Sequence, residues 1–191
     1  MDSVQRIWLR IESALERLAP AVAAALPAGA SEEQLVAAEQ QLGVALPADV
    51  LDFYRRHDGL PGVHVSGYGP VHSLGQLLKD ALERAEDADE PMDEEEDGEI
   101  RRDIGWSARW IPLIPQGNGD VVCVDLDPPT PERLGQIIDW THEGWTADYL
   151  APSWREYLDA FAAELEEDDR YELFADGFHW NDGQPLLMPR G

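Results

Sequence analysis

The residues with chemistry to offer in this chain are few, and the spacing each reaction demands tests them. Asp93-Glu94-Glu95-Glu96-Asp97-Gly98-Glu99-Ile100 sets acids at positions one, three and five of a calcium-loop pattern, Gly at six and an apolar residue at eight. Position twelve, where a bidentate carboxylate must close the coordination shell, is Ile104. The stretch therefore reads as a run of carboxylates, not a calcium site. His57, His64, His72, His142 and His179 include no pair at the i, i+4 spacing of a helical zinc site, and His142-Glu143 lacks the second His of a metalloprotease. Gly117-x-Gly119 is followed by neither a third Gly nor a Lys-Ser/Thr pair, so it is not a phosphate cradle. Cys123 lies among Val121, Val122 and Val124 and reads as a strand-interior thiol, and there is no Gly-x-Ser-x-Gly elbow. The expectation is a chain with no catalytic residue, no metal and no cofactor.

Composition offers charge and indole instead. The 191 residues carry 39 acids against 14 basic side chains, a formal charge of −25, and Lys79 is the one lysine. Such a surface repels phosphodiesters and anionic lipid, so neither nucleic acid nor membrane is expected as a direct partner. A basic partner, or a partner without marked charge, is left. Eleven of the acids fall within residues 83–99, which read as a solvated insertion. Candidate partner contacts are Asp93, Glu94, Glu95, Glu96 and Asp97 in that run, with Asn118, Asp120 and Asp125 at the ends of a hairpin. Trp110, Trp140 and Trp145 lie beside turns, where an exposed indole is a favoured anchor.

These residues need elements to position them. Ile7, Trp8, Ile11, Leu15 and Leu18 form one helical stripe over 4–18. Ser31 and Gln34 form a capping box for a helix ending at Gly43, and Pro47 sits in the first turn of another that ends near Gly59. Val63-His64-Val65 alternates like a short strand, and Ser73 caps a helix through Leu82. Trp110 to Ile114 and Val121 to Leu126 flank Gly117-Asn118-Gly119 as a hairpin, Gly135 to Trp140 follows as a strand, and Ala147 to Leu150 as a shorter one. Ser153 caps a last helix carrying Trp154, Tyr157, Leu158, Phe161 and Leu165, and no periodicity shows after Tyr171. The class is α+β: N-terminal helices, a mainly antiparallel β meander and a C-terminal helix packed on it. The N-terminus lacks a leader pattern and no run is long enough to span a bilayer, so a soluble cytoplasmic protein is expected.

One series of residues carries a resemblance. Glu39-x-x-Leu42-Gly43-x-x-Leu46-Pro47-x-x-Val50-x-x-Phe53-Tyr54-x-x-His57-Asp58-Gly59 closely resembles the opening signature of the SUKH superfamily in its Smi/Knr branch. Trp110-Ile111-Pro112-Leu113, Gly117-Asn118-Gly119-Asp120, Asp125, Gly135 to Ile138 and Ala151-Pro152-Ser153-Trp154 resemble later pieces in the same order. The resemblance implies one SUKH-like domain over 1–170 with an acidic insertion at about 83–99, followed by a C-terminal extension over 171–191. It also implies a non-catalytic role. Bacterial members look like immunity proteins that neutralise a cognate polymorphic toxin, often a nuclease or deaminase. Fungal members resemble regulators of cell-wall synthesis or signalling that act as interaction scaffolds. No feature of the sequence fixes an oligomeric state.

Overall fold

The computed structural model describes residues 3–88, 91–92, 99–167, 171–174 and 177–180. Helix α1 (Val4–Leu18) starts at Ser3, whose hydroxyl accepts the Arg6 N–H, and it buries Ile7, Trp8, Ile11 and Leu15 along one stripe. A short α2 (Pro20–Ala24) follows. In α3 (Glu32–Leu42) the capping box is complete, Ser31 N–H donating to Gln34 Oε1 (2.8 Å) and Gln34 N–H to Ser31 Oγ (3.3 Å). Pro47 caps α4 (Ala48–Arg56) from just outside instead of sitting in its first turn, because its ψ of 147° is extended. Helices α5 (Leu74–Arg84) and α6 (Trp154–Glu167) start at Ser73 and Ser153, each accepting an N–H three residues on.

Four strands, β1 (Trp110–Pro115), β2 (Val121–Asp125), β3 (Gln136–Thr141) and β4 (Thr146–Ala151), form an antiparallel meander in chain order. Alternation sends Val122, Val124 and Ile137 to one face, onto a helical core containing Trp8, Phe53, Trp154, Tyr157 and Phe161. Trp8 stacks on Phe53 at 4.9 Å, and Phe53 meets Trp154 edge-on at 5.4 Å. The α1–α6 pairing is bound at its rim by Arg10, whose guanidinium reaches Asp159 and both oxygens of Glu166.

The opposite face of the sheet is also buried. Trp110, Val121, Cys123, Ile138, Trp140 and Ala147 pack there beneath Ile100 and Trp106 from the segment before β1. Burial on both sides explains the unbroken Val121-Val122-Cys123-Val124 run in an antiparallel sheet. Trp110, Trp106, Trp140 and Trp145 touch in sequence, edge to face, at 5.6, 5.1 and 5.9 Å.

Two expectations about strands need correction. Val63-His64-Val65 is not a strand. Leu60 and Val71 form an isolated bridge, and the chain between them reverses where Ser66 takes φ +47°. After α6, β5 (Tyr171–Phe174) and β6 (Gly177–Trp180) pair as a separate two-stranded ribbon that helical or long-range periodicity does not reveal. The observed α+β architecture is otherwise the one expected.

Candidate interaction surface at the hairpin end

Asn118 and Asp120 are fixed by the turn that carries them. Gly117 (φ +77°) and Gly119 (φ +106°) take backbone conformations that a side chain would strain, and Gln116 N–H donates to the Asp120 carbonyl (3.0 Å). Asn118 Nδ2 donates to Asp120 Oδ2 (2.7 Å), and Asp120 N–H returns to Asn118 Oδ1 (3.1 Å). From the β3–β4 turn, the His142 backbone N–H and ring Nδ1 meet Asp120 Oδ1 at 2.9 and 2.8 Å. Partial burial works to raise the Asp120 carboxyl, but His142 and Asn118 outweigh it and hold the group below the usual aspartate range. Asp120 is thus a fixed anion beside a half-exposed imidazole.

Helix α5 stands across from this turn. Arg84 Nε donates to Asp80 (2.9 Å) and its Nη2 to the Gly119 carbonyl (3.0 Å), so the helix end is bonded to the hairpin. The same guanidinium lies over the indoles of Trp106 and Trp140, 5.0 and 5.3 Å from their centroids. Burial raises Asp80 too, but His72 (Nε2 at 3.5 Å) and Arg84 pull it below the ordinary value. Between helix and turn lies an open cleft of about 380 Å³ lined by His72, Lys79, Asp80, Glu83, Arg84 and Asp120. A second cleft, about 470 Å³, flanks the other side of the turn beside His64, Tyr68 and Gln116.

The polar walls of this recess, cationic as well as acidic, are largely committed to each other. The buried Cys123 thiol is pushed well up by its burial and offers no thiolate. Among the described residues, no three His, Cys, Asp or Glu side chains group closely enough to hold a metal ion.

The profile of the SMI1 / KNR4 family (SUKH-1) matches residues 29–160, more than half of the chain. The chain belongs to the SMI1/KNR4 family. It is 37% identical over 62 residues to the cell wall assembly regulator SMI1 of Saccharomyces cerevisiae, an alignment covering 32% of this chain and 12% of that protein. Against KNR4/SMI1 homolog 2 of Debaryomyces hansenii it is 23% identical over 214 aligned positions, 87% of this chain and 36% of that one. The chain therefore spans only about a third or less of these relatives. The profile match takes in the hairpin, α5 and the sheet, that is, all of the surface described above.

Within this SMI1/KNR4 chain, the residues singled out in sequence divide sharply. Asn118 is exposed, Asp120 is partly so, and the two sit together. Trp145 is 42% exposed but stands apart on the β3–β4 turn, its ring against Gly105. Trp110, Trp140 and Asp125 are not surface contacts. All three are buried because the segment carrying Ile100 and Trp106 covers their face of the sheet. Asp125 accepts from Trp110 Nε1 (3.0 Å), Gln136 Nε2 (2.9 Å) and Asp127 N–H (2.8 Å), which binds β1, β2 and β3 together. Trp140 donates its Nε1 proton to the Gly105 carbonyl (2.8 Å). Asp93, Glu94, Glu95, Glu96 and Asp97 lie outside the described residues. Sequence reasoning missed His72, Asp80 and Arg84. The i, i+4 spacing of Asp80 and Arg84 on a capped helix was the available signal.

Proposed function

We propose that this chain is a non-catalytic interaction module that binds and neutralises a basic protein, in the manner of an immunity protein facing a cognate toxin. A nuclease or deaminase toxin must hold a polyanion in a basic groove, and a −25 surface competes for that groove by steric and electrostatic occlusion. The observation that carries the reading is the charge, joined to a recess where Asp80 and Asp120 are kept ionised and oriented by fixed donors. Long-range attraction speeds encounter, and the anchored carboxylates give it a place to end.

A second reading is favoured by the names of the yeast relatives, one of them a cell wall assembly regulator. On that reading the same surface serves a regulatory or scaffolding partner and no toxin is involved.

Co-expression with the adjacent reading frame, scored for rescue of growth, tests the first reading directly. Rescue supports neutralisation. A neighbour that is harmless when expressed alone overturns it and leaves the scaffold reading.

A further inference from the structure

The meander ends on a strand with one neighbour. β4 pairs with β3, the β5–β6 ribbon is a sheet of its own, and among the described residues no further strand covers the outer edge of β4. A free edge presents unpaired backbone N–H and C=O groups, and folded proteins usually blunt such edges with Pro, Lys, a bulge or a covering element. The sequence of β4, Thr146 to Ala151, contains neither Pro nor Lys, and its one irregularity is a register shift at Leu150, which leaves Thr146 to Tyr149 in regular pairing.

Its side chains divide by face. Tyr149 lies across from Ile138 and Ala147 from Trp140, so Tyr149 shares the face of the indole series; it is 39% exposed, and Trp145 on the preceding turn is 42% exposed. The opposite face carries Asp148, exposed and directly across from Asp139. Two carboxylates in one cross-strand pair repel. Asp139 is satisfied by Tyr68 Oη (3.0 Å) and Gln116 Nε2 (2.6 Å), whereas Asp148 has no hydrogen-bond or ion-pair partner among the described residues. Arg133, over the Tyr149 ring on the other face, is paired with Glu99.

We infer that the outer edge of β4 accepts an extended basic segment of a protein partner as a fifth strand. Its ladder bonds satisfy the edge, a Lys or Arg opposite Asp148 relieves the carboxylate pair, and apolar residues on either side of that cation lie opposite Ala147 and Tyr149, on the face of the indole series. A second copy of the chain fits poorly, since it brings another −25 charge and another Asp148 to the same edge. The inference rests on the reading of this chain as a binder of a basic protein, and it names the surface and the form of the bound segment.

The probe is a capped octapeptide alternating Lys and Val, with a control of equal charge in which a central Val is Pro. Both are titrated against the full chain by calorimetry and amide hydrogen exchange. Slowed exchange confined to 146–151 is expected. The Pro control should bind roughly tenfold more weakly because it cannot complete the ladder. Asp148→Lys should weaken the alternating peptide by about fivefold or more, with Asp148→Asn between it and the parent. Equal binding of the Pro control, protection elsewhere, or an indifferent Asp148→Lys would each reduce the effect to bulk charge and overturn the edge. A doubled mass with β4 protected before any peptide is added would assign the edge to a second copy instead. Growth rescue in co-expression does not depend on this peptide, so the edge and the immunity role fail separately.

Discussion

Asp125 and Asp139 are carboxylates that a surface-minded reading of an acidic protein would place in water. Burial is the largest influence on both and raises them above the ordinary aspartate value near 3.8, against the pull of their donors. A carboxyl raised in the folded state stabilises fully below its unfolded value, and that contribution is lost as pH climbs through the folded one. Asp139→Asn should therefore cost more stability at pH 4 than at pH 7 in urea titrations. A cost independent of pH would mean Asp139 is not raised. Asp125→Ala leaves the Trp110, Gln136 and Asp127 donors without their acceptor, and should cost about 2–4 kcal/mol in the same measurement. The sequence placed Asp125 at a strand end correctly, but read it as a partner contact. It could not show that the face carrying Asp125 is roofed, because the covering residues, Ile100 and Trp106, sit in a segment without periodicity.

Caps and breaks made the helices legible at the scale of elements. Ser31, Ser73 and Ser153 each begin one through a local side-chain to backbone bond that the sequence alone specifies. The loop from Leu60 to Val71 was misread, because Val63 and Val65 are apolar for core packing, not for pairing in a ladder. The β5–β6 ribbon has strands of only four residues each, Tyr171–Phe174 and Gly177–Trp180, too short to stand out in an irregular tail. The roof of the sheet depends on close approach at Gly105, where an added Cβ would lie 2.3 Å from the Trp145 ring. Gly105→Ala should swing this half-exposed indole outward for a cost of about 1–2 kcal/mol. Hydroxyl-radical footprinting should then record greater modification at Trp145, and an unchanged pattern would mean the ring has another resting place. Arg84→Lys keeps the charge but loses the flat fork shared by Asp80, Gly119, Trp106 and Trp140. A loss of about 1–2 kcal/mol is expected by thermal or urea unfolding.

Over the whole molecule, charge is the property the sequence declared most openly. Setting aside the acids and the one arginine of residues 83–99 leaves −15 on the rest, so the acidity is spread over the chain as well as concentrated. Association with a basic partner should accordingly slow steeply as salt rises, while dissociation changes little. Stopped-flow mixing across a salt series measures this, and a flat association rate would remove steering from the mechanism. The α+β order and the membership in the SMI1/KNR4 family were both readable from motif pieces such as Leu46-Pro47 and Gly117-Asn118-Gly119. The recess was not, since it forms only when α5 and the hairpin, far apart in the chain, are bonded through Arg84.

The indole series has an optical consequence. Trp110, Trp106, Trp140 and Trp145 stand close enough, edge to face, for their excited states to couple, so they should absorb and emit as a group and give a strong near-ultraviolet dichroism. Trp145, the member of the series that meets solvent, should emit at longer wavelength than the three buried ones. The protein thus carries an unlabelled reporter at the end of β4, and a partner that settles there announces itself as a shift in colour.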